Sequence, residues 1–220
     1  MDWPLLASLT EEERRELTRL ARRRTFSRHE VVCHAGDPAD SLHLVVRGRL
    51  SVTVSLPTGD TAMINVLGPG SYFGELALVR DDGHRTATVT ALEPTETFAV
   101  TAGAFRRLRE WHPGVERAMT TLLADRVDRL SGRLVEAMYV SLDRRVMRRL
   151  VEVGEMYAAP DADGPLVVPL TQRQLAELTG GTRQSVNQVL QRLVDQGIIA
   201  LGRGRIDILD AERLRVKSGL

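Results

Sequence analysis

Glu75, Arg85 and Thr86 bracket a stretch whose residue types suit a phosphate ester and its sugar. Ser71-Tyr72-Phe73-Gly74-Glu75-Leu76-Ala77-Leu78-Val79 reads as a glycine entering a short helix, and Arg85-Thr86-Ala87 leads a strand. Amides exposed at a helix start receive an anion. A guanidinium clamps phosphate through two N–H donors, and the Thr86 hydroxyl supplies another. Glu75 has the wrong charge for the phosphate and the right one to accept hydrogen bonds from a sugar hydroxyl. An Arg85 to Glu75 ion pair tying loop to strand explains the same spacing equally well.

A second pattern runs from Thr171 to Leu193, TQRQLAELTGGTRQSVNQVLQRL. Thr171 and Gln174 stand at capping-box positions before a short amphipathic helix, and Thr179-Gly180-Gly181 breaks it. Thr182 then caps a second helix in which Val186, Val189, Leu190 and Leu193 form one buried stripe. Arg183, Gln184, Asn187, Gln188 and Gln191 fall outside the stripe. Arg, Gln and Asn make paired hydrogen bonds to base edges, whereas a merely solvated face is richer in Glu and Lys. The pattern predicts a helix-turn-helix, although two short helices around a glycine turn also occur without DNA.

The elements that must position these residues follow from the rest of the chain. Its 220 residues suffice for two small domains, each with its own core. A formal net charge of +1 does not bear on nucleic acid, which needs local basic residues. Cys33 is the only cysteine, which excludes an intrachain disulfide and a cluster held by several cysteines. Cys33, His29 and His34 lack a fourth neighbouring ligand, so no metal is expected. The acidic start, without a basic signal or a long apolar run, predicts a cytoplasmic protein with no membrane partner.

Thr10 and Glu13 cap a first helix ending near Ala21, followed by Arg22, Arg23 and Arg24 as solvated residues. From Thr25 to Val100 short apolar runs alternate with glycine turns, at 31–33, 42–46, 50–54, 62–66, 87–90 and 97–100. Such strands predict an antiparallel barrel or sandwich. A linking helix follows over 102–111, then a break at His112-Pro113 and one long helix from Gly114. In it Leu123, Val127, Leu130, Leu134, Ala137 and Ser141 recur at 4, 3, 4, 3 and 4, a seam for a partner helix, with Leu122, Met119 and Met138 extending its apolar face. Another helix spans 141–153 with its four arginines near the surface. A loop with Asp161, Asp163 and Gly164 at its tip precedes the helix-turn-helix. Ile198 to Leu209 make a hairpin in which Arg203 and Arg205 reach phosphates. The tail from Ala211 is weakly patterned and expected to fray.

This order resembles the family of bacterial regulators that includes the cyclic-AMP receptor and the fumarate and nitrate reduction regulator, over about residues 9–209. The most specific pieces are Phe73-Gly74-Glu75-Leu76 with Arg85-Thr86-Ala87, and the run from Leu175 to Val186. The resemblance implies an α+β fold: an N-terminal antiparallel β-barrel (double-stranded β-helix, jelly roll), a long dimerisation helix and a C-terminal winged helix-turn-helix. The corresponding domains are a cyclic-nucleotide-binding-like sensor over 1–112, the dimerisation helix over 113–140 and the DNA-binding domain over 141–220.

Carried over residue by residue, the resemblance puts Glu75 on the ribose 2'-hydroxyl, Arg85 on the cyclic phosphate and Thr86 on a phosphate oxygen. Gly74 and Leu76 form the cassette backbone. It implies a cyclic nucleotide as effector, cyclic AMP ahead of cyclic GMP. Where the cyclic-AMP receptor offers the base a Thr-Ser pair, this chain has Leu130-Ser131, and one hydroxyl is lost. In the reading helix Arg183 matches a base-contacting arginine, while Gln184 replaces a glutamate and Gln188 an arginine. The implied partners are a palindromic double-stranded DNA site, a second copy of the chain and RNA polymerase. No nucleophile and base are paired, so an enzyme is not expected. A ligand-independent regulator of the same fold and a ligand-controlled protein-interaction module are the competing functions.

Overall fold

The structure, a computed structural model, describes residues 3, 6, 9–78, 83–158 and 165–219, without the side chains of residues 77, 111 and 113. The chain divides into two compact units, Met1–Val54 with Asn65–Ser131, and Ser55–Ile64 with Gly132–Leu220.

In the first unit, helix α1 (Glu11–Leu20) opens with the expected capping box. Glu13 N–H donates to Thr10 Oγ1, and the Glu13 carboxylate accepts from Thr10 N–H at 2.8 Å. Eight strands follow: β1 (Arg22–Phe26), β2 (Val31–Cys33), β3 (Ser41–Arg47), β4 (Leu50–Ser55), β5 (Thr61–Leu67), β6 (Tyr72–Phe73), β7 (Thr88–Ala91) and β8 (Thr95–Thr101). They form two antiparallel four-stranded sheets, ordered β1-β8-β3-β6 and β2-β7-β4-β5.

The expected closed barrel is not what these strands build. Closure requires one continuous hydrogen-bond ladder with matched tilt and stagger. With β2 three residues long and β6 only two, both ladders run out, leaving β1 and β6 as edges of one sheet and β2 and β5 of the other. The open sheets share a core instead. Phe26, Val45 and Phe73 of the first pack with Leu50, Leu67, Val89 and Ala91 of the second. On the other face of the first sheet, Leu42, Leu44 and Val100 pack with Leu17 and with helices α2 (Ala102–Trp111) and α3 (Pro113–Tyr139) through Phe105, Leu108, Val115, Ala118 and Met119. Strand β3 is therefore covered on both faces, which explains its nearly unbroken apolar run.

Arg22, Arg23 and Arg24 are exposed, as expected, but belong to strand β1, and Arg23 pairs with Glu96 at 2.6 Å. Exposed charge on an edge strand discourages another chain from adding to the sheet. Along α3, Leu122 is buried as expected. Val127, Leu130, Leu134 and Met138 are more than half exposed, so Met138 does not pack inward.

In the second unit, helix α4 (Leu142–Tyr157) buries Val146 and Leu150, and strand β9 (Leu166–Val168) leads to α5 (Gln172–Thr179) and α6 (Arg183–Asp195). Strands β10 (Ile199–Gly202) and β11 (Arg205–Ile208) form the expected hairpin, and β9 adds a third strand in the order β10-β11-β9. Three of the four arginines of α4 are held by neighbours. Arg149 pairs with Glu136 and Glu152, Arg148 lies 3.5 Å from Glu136, and Arg145 donates to the Ala137 carbonyl at 3.1 Å. Nor does the tail fray over 211–218. Asp210 caps α7 (Ala211–Ser218), Leu214 is fully buried, and Arg148 Nε donates to the Ser218 carbonyl at 3.1 Å. The loop tip at Asp161, Asp163 and Gly164 lies outside the described residues.

Candidate functional site

Two antiparallel registers bring the first group together. His43 pairs with Ala99 of β8 on one side and with Phe73 of β6 on the other. Phe73 is followed by Gly74, at φ +81°, and by a single 3-10 turn over Glu75–Leu78. Only glycine fits position 74, because a Cβ would stand 2.2 Å from Arg85 Nη1 and 2.5 Å from the Ser41 carbonyl oxygen.

Arg85 is buried in this corner. Its Nη1 donates to the Ser41 carbonyl at 2.8 Å, and its Nη2 donates to Ser41 Oγ at 3.1 Å and to Asp40 Oδ1 at 3.2 Å. Its Nε is buried without a hydrogen-bond partner among the described residues. Glu75 is also buried, and its ion-pair neighbour is Arg126 of α3 at 3.9 Å rather than Arg85. The Arg85 to Glu75 pair is thus replaced by one to Asp40, and Arg129 of α3 donates to the Tyr72 hydroxyl at 2.7 Å. Leu76 is half-buried, while Thr86 is exposed beside Arg85 at the turn entering β7. Leu130 and Ser131 are exposed on α3, the helix that reaches the cassette through Arg126 and Arg129.

Sequence reasoning missed Asp40, Ser41, His43 and Thr97. Ser41 Oγ donates to Asp40 Oδ1 at 2.8 Å and lies 3.2 Å from His43 Nε2, while His43 Nδ1 lies 3.0 Å from Thr97 Oγ1. Ser41 has one hydroxyl proton, which goes to the carboxylate. Nε2 therefore carries the His43 proton and donates to Ser41, and Nδ1 accepts from Thr97. The ring stacks on Phe73 at 4.7 Å. Burial first, then the Arg85 charge, hold the His43 pKa down at about 4. A histidine inside a doubly covered strand, with Ser41 two residues before it, was the available signal. Burial pushes the Cys33 thiol up, as in a protonated core residue. No cluster of three metal-ligating side chains occurs among the described residues.

The second group lies on α5, α6 and the hairpin. Thr171 and Gln174 form the expected capping box, Gly180 ends α5 in the left-handed region, and Thr182 accepts from Ser185 N–H to cap α6. Val186, Val189, Leu190 and Leu193 are buried. Arg183, Gln184, Asn187 and Gln188 are exposed and hydrogen-bond to no other described side chain. Arg203 stands at the tip of the β10–β11 turn, and Arg205 is partly engaged by Asp207 at 3.3 Å. Replacing Thr182 with Ala should cost about 1 kcal/mol of stability in this unit, measured by urea unfolding. An unchanged midpoint would show that the cap is dispensable.

The cyclic nucleotide-binding domain model matches residues 23–112, and the Crp-like helix-turn-helix domain model matches residues 144–216. The chain belongs to the cyclic-AMP receptor and fumarate and nitrate reduction regulator family. This family member is 27% identical over 190 residues to the CRP-like cAMP-activated global transcriptional regulator of Mycobacterium tuberculosis, covering 86% of this chain and 84% of that protein. It is 28% identical over 211 residues to the cyclic AMP receptor protein of Thermus thermophilus, covering 96% and 94%. Among solved structures, a CRP-family transcriptional regulator of Thermus thermophilus superposes with a TM-score of 0.74 at 25% identity, covering 90% of this chain and 97% of that one. The regulator is thus a DNA-binding transcription factor with a cyclic-nucleotide-binding domain, of a family that is not catalytic. No helix among the described residues is long and apolar enough to cross a membrane.

Proposed function

We propose that the regulator is a homodimer switched by a cyclic nucleotide, cyclic AMP ahead of cyclic GMP, and that it binds a palindromic DNA site in the cytoplasm. The observation that carries the effector is the buried Arg85, whose Nε has no partner beside a glycine that leaves room for nothing larger. A buried guanidinium N–H left unpaired is costly, and an anion at that edge would satisfy it. In this reading Arg85 and Thr86 hold the phosphate, Gly74 and Leu76 offer backbone, and buried Glu75 accepts from the ribose. Leu130 and Ser131 face the base, with Ser131 its one hydroxyl contact.

The exposed stripe of Val127, Leu130 and Leu134 supports the dimer, since three large apolar side chains at heptad spacing need a covering helix. A two-fold pair sets two α6 helices one DNA turn apart, with Thr182, Arg183, Gln184, Asn187 and Gln188 at the groove and Arg203 and Arg205 on phosphates. The nucleotide acts by favouring the dimer arrangement in which both helices meet the same face of DNA. RNA polymerase is then recruited or blocked according to the position of the site.

Calorimetric titration with cyclic AMP and cyclic GMP, beside Arg85→Ala, tests the effector. Micromolar binding of one nucleotide that the variant loses is the expected result. No heat with either, and no binding by fluorescence, would sink it. A second reading, a regulator that needs no ligand, has its own observation: Arg85 already donates to Ser41 and Asp40. It predicts equal DNA affinity with and without nucleotide.

A further inference from the structure

Arg85 is a buried cation, and a buried cation needs an anion near it. Among the described residues the carboxylate that contacts it is Asp40, through Oδ1 at 3.2 Å. The two partners differ sharply in exposure, with the Arg85 side chain 7% exposed and that of Asp40 77%. The remaining bonds of the guanidinium go inward, to the Ser41 carbonyl and Ser41 Oγ. Ser41 is itself held by His43, and His43 by Thr97 on the neighbouring strand β8. Arg85 therefore has a fixed inner side anchored in the sheet and an outer carboxylate facing water.

We propose that Asp40 is the resident counter-anion of Arg85, which an incoming phosphate displaces, so that Asp40 sets the affinity threshold for the effector. The inference rests on the reading of Arg85 as the phosphate group's partner. Exchange conserves charge at the site, with one anion leaving Arg85 Nη2 as another arrives. Ser41, His43 and Thr97 keep the guanidinium in place while this happens, because none of their hydrogen bonds requires Asp40 to stay on Arg85. Freed from Arg85, the Asp40 carboxylate is solvated, and it can retain the Ser41 hydroxyl proton. The cost of displacement is the strength of one ion pair with an exposed member.

The test compares the full-length protein with Asp40→Asn, which keeps the side-chain size and removes the charge. In calorimetry with cyclic AMP and cyclic GMP, the variant should bind the preferred nucleotide up to about fivefold tighter, the effect of one such ion pair. Without nucleotide it should melt at a lower temperature than the parent, and millimolar inorganic phosphate should raise its melting temperature more than that of the parent. Equal or weaker nucleotide binding by the variant would overturn the proposal. If neither protein binds either nucleotide, the effector reading falls, and the phosphate shift then decides alone. A larger shift in Asp40→Asn sustains the counter-anion role, and an equal shift ends it.

Discussion

Gly74→Ala should abolish cyclic-nucleotide binding and destabilise the fold more than the same change at a glycine turn with open space around it. Two penalties combine. An L side chain at φ +81° is strained by about 1–2 kcal/mol. The added carbon also overlaps Arg85 Nη1 and the Ser41 carbonyl oxygen, so the guanidinium, the strand or both must move. Ser41 cannot retreat without disturbing the β3–β8 register, so Arg85 loses its inward anchor. Gly59→Ala is the matched control, with φ +87° and no atom within 4 Å of the added carbon. It should show the backbone penalty with binding retained. Urea unfolding and cyclic-AMP titration of both variants separate the two terms, and equal behaviour would mean that crowding at position 74 is harmless.

The regulator should also lose stability in mild acid through His43. Its folded pKa of about 4 lies below the ordinary 6.5, so the folded state disfavours the proton that the unfolded chain accepts. The contribution is fully present above pH 6.5 and disappears as pH falls through 4. Over that interval about 3 kcal/mol is lost. The groups facing the ring set the sign. Arg85 and Arg24 oppose protonation and Asp40 favours it, and burial, the largest cause, opposes it too. Unfolding at pH 7 and near pH 4.5 should show a steep loss in the parent and a shallower one in His43→Gln, which does not titrate. Parallel losses would remove His43 as the cause.

Much of the fold was legible where local chemistry decides it. The helix over 102–111 was legible with its observed ends because His112-Pro113 stops it. The helix-turn-helix was legible through its two caps, its glycine break and one apolar stripe. Strand β1 was missed because RRRTF on an exposed edge buries only Phe26 and leaves no alternation to detect. Helix α7 was missed because its buried residues are Leu214 and Ser218, and a serine does not announce an inward face. Closed and open sheets differ only in long-range pairing, which turn residues do not encode. The same holds at the site. The cassette suggested Arg85 and Glu75, but Arg85 finds its partners at positions 40 and 41, through pairing that no short spacing records. His43 sat in an apolar run, where it passed for one more strand residue.

Strand β8 has a consequence for how the chain is made. It lies between β1 and β3, bonded to residues 22–26 on one side and 41–47 on the other. During synthesis from the N-terminus, that sheet stays divided until residue 101 has left the ribosome. Until then β1 has no neighbour, and the inner face with His43 and Val45 lacks Thr97. Closing a loop of this length is slow and exposes strand edges meanwhile. The three arginines of β1 keep the waiting strand soluble. The buried corner at Arg85, translated before β8, is assembled only after it.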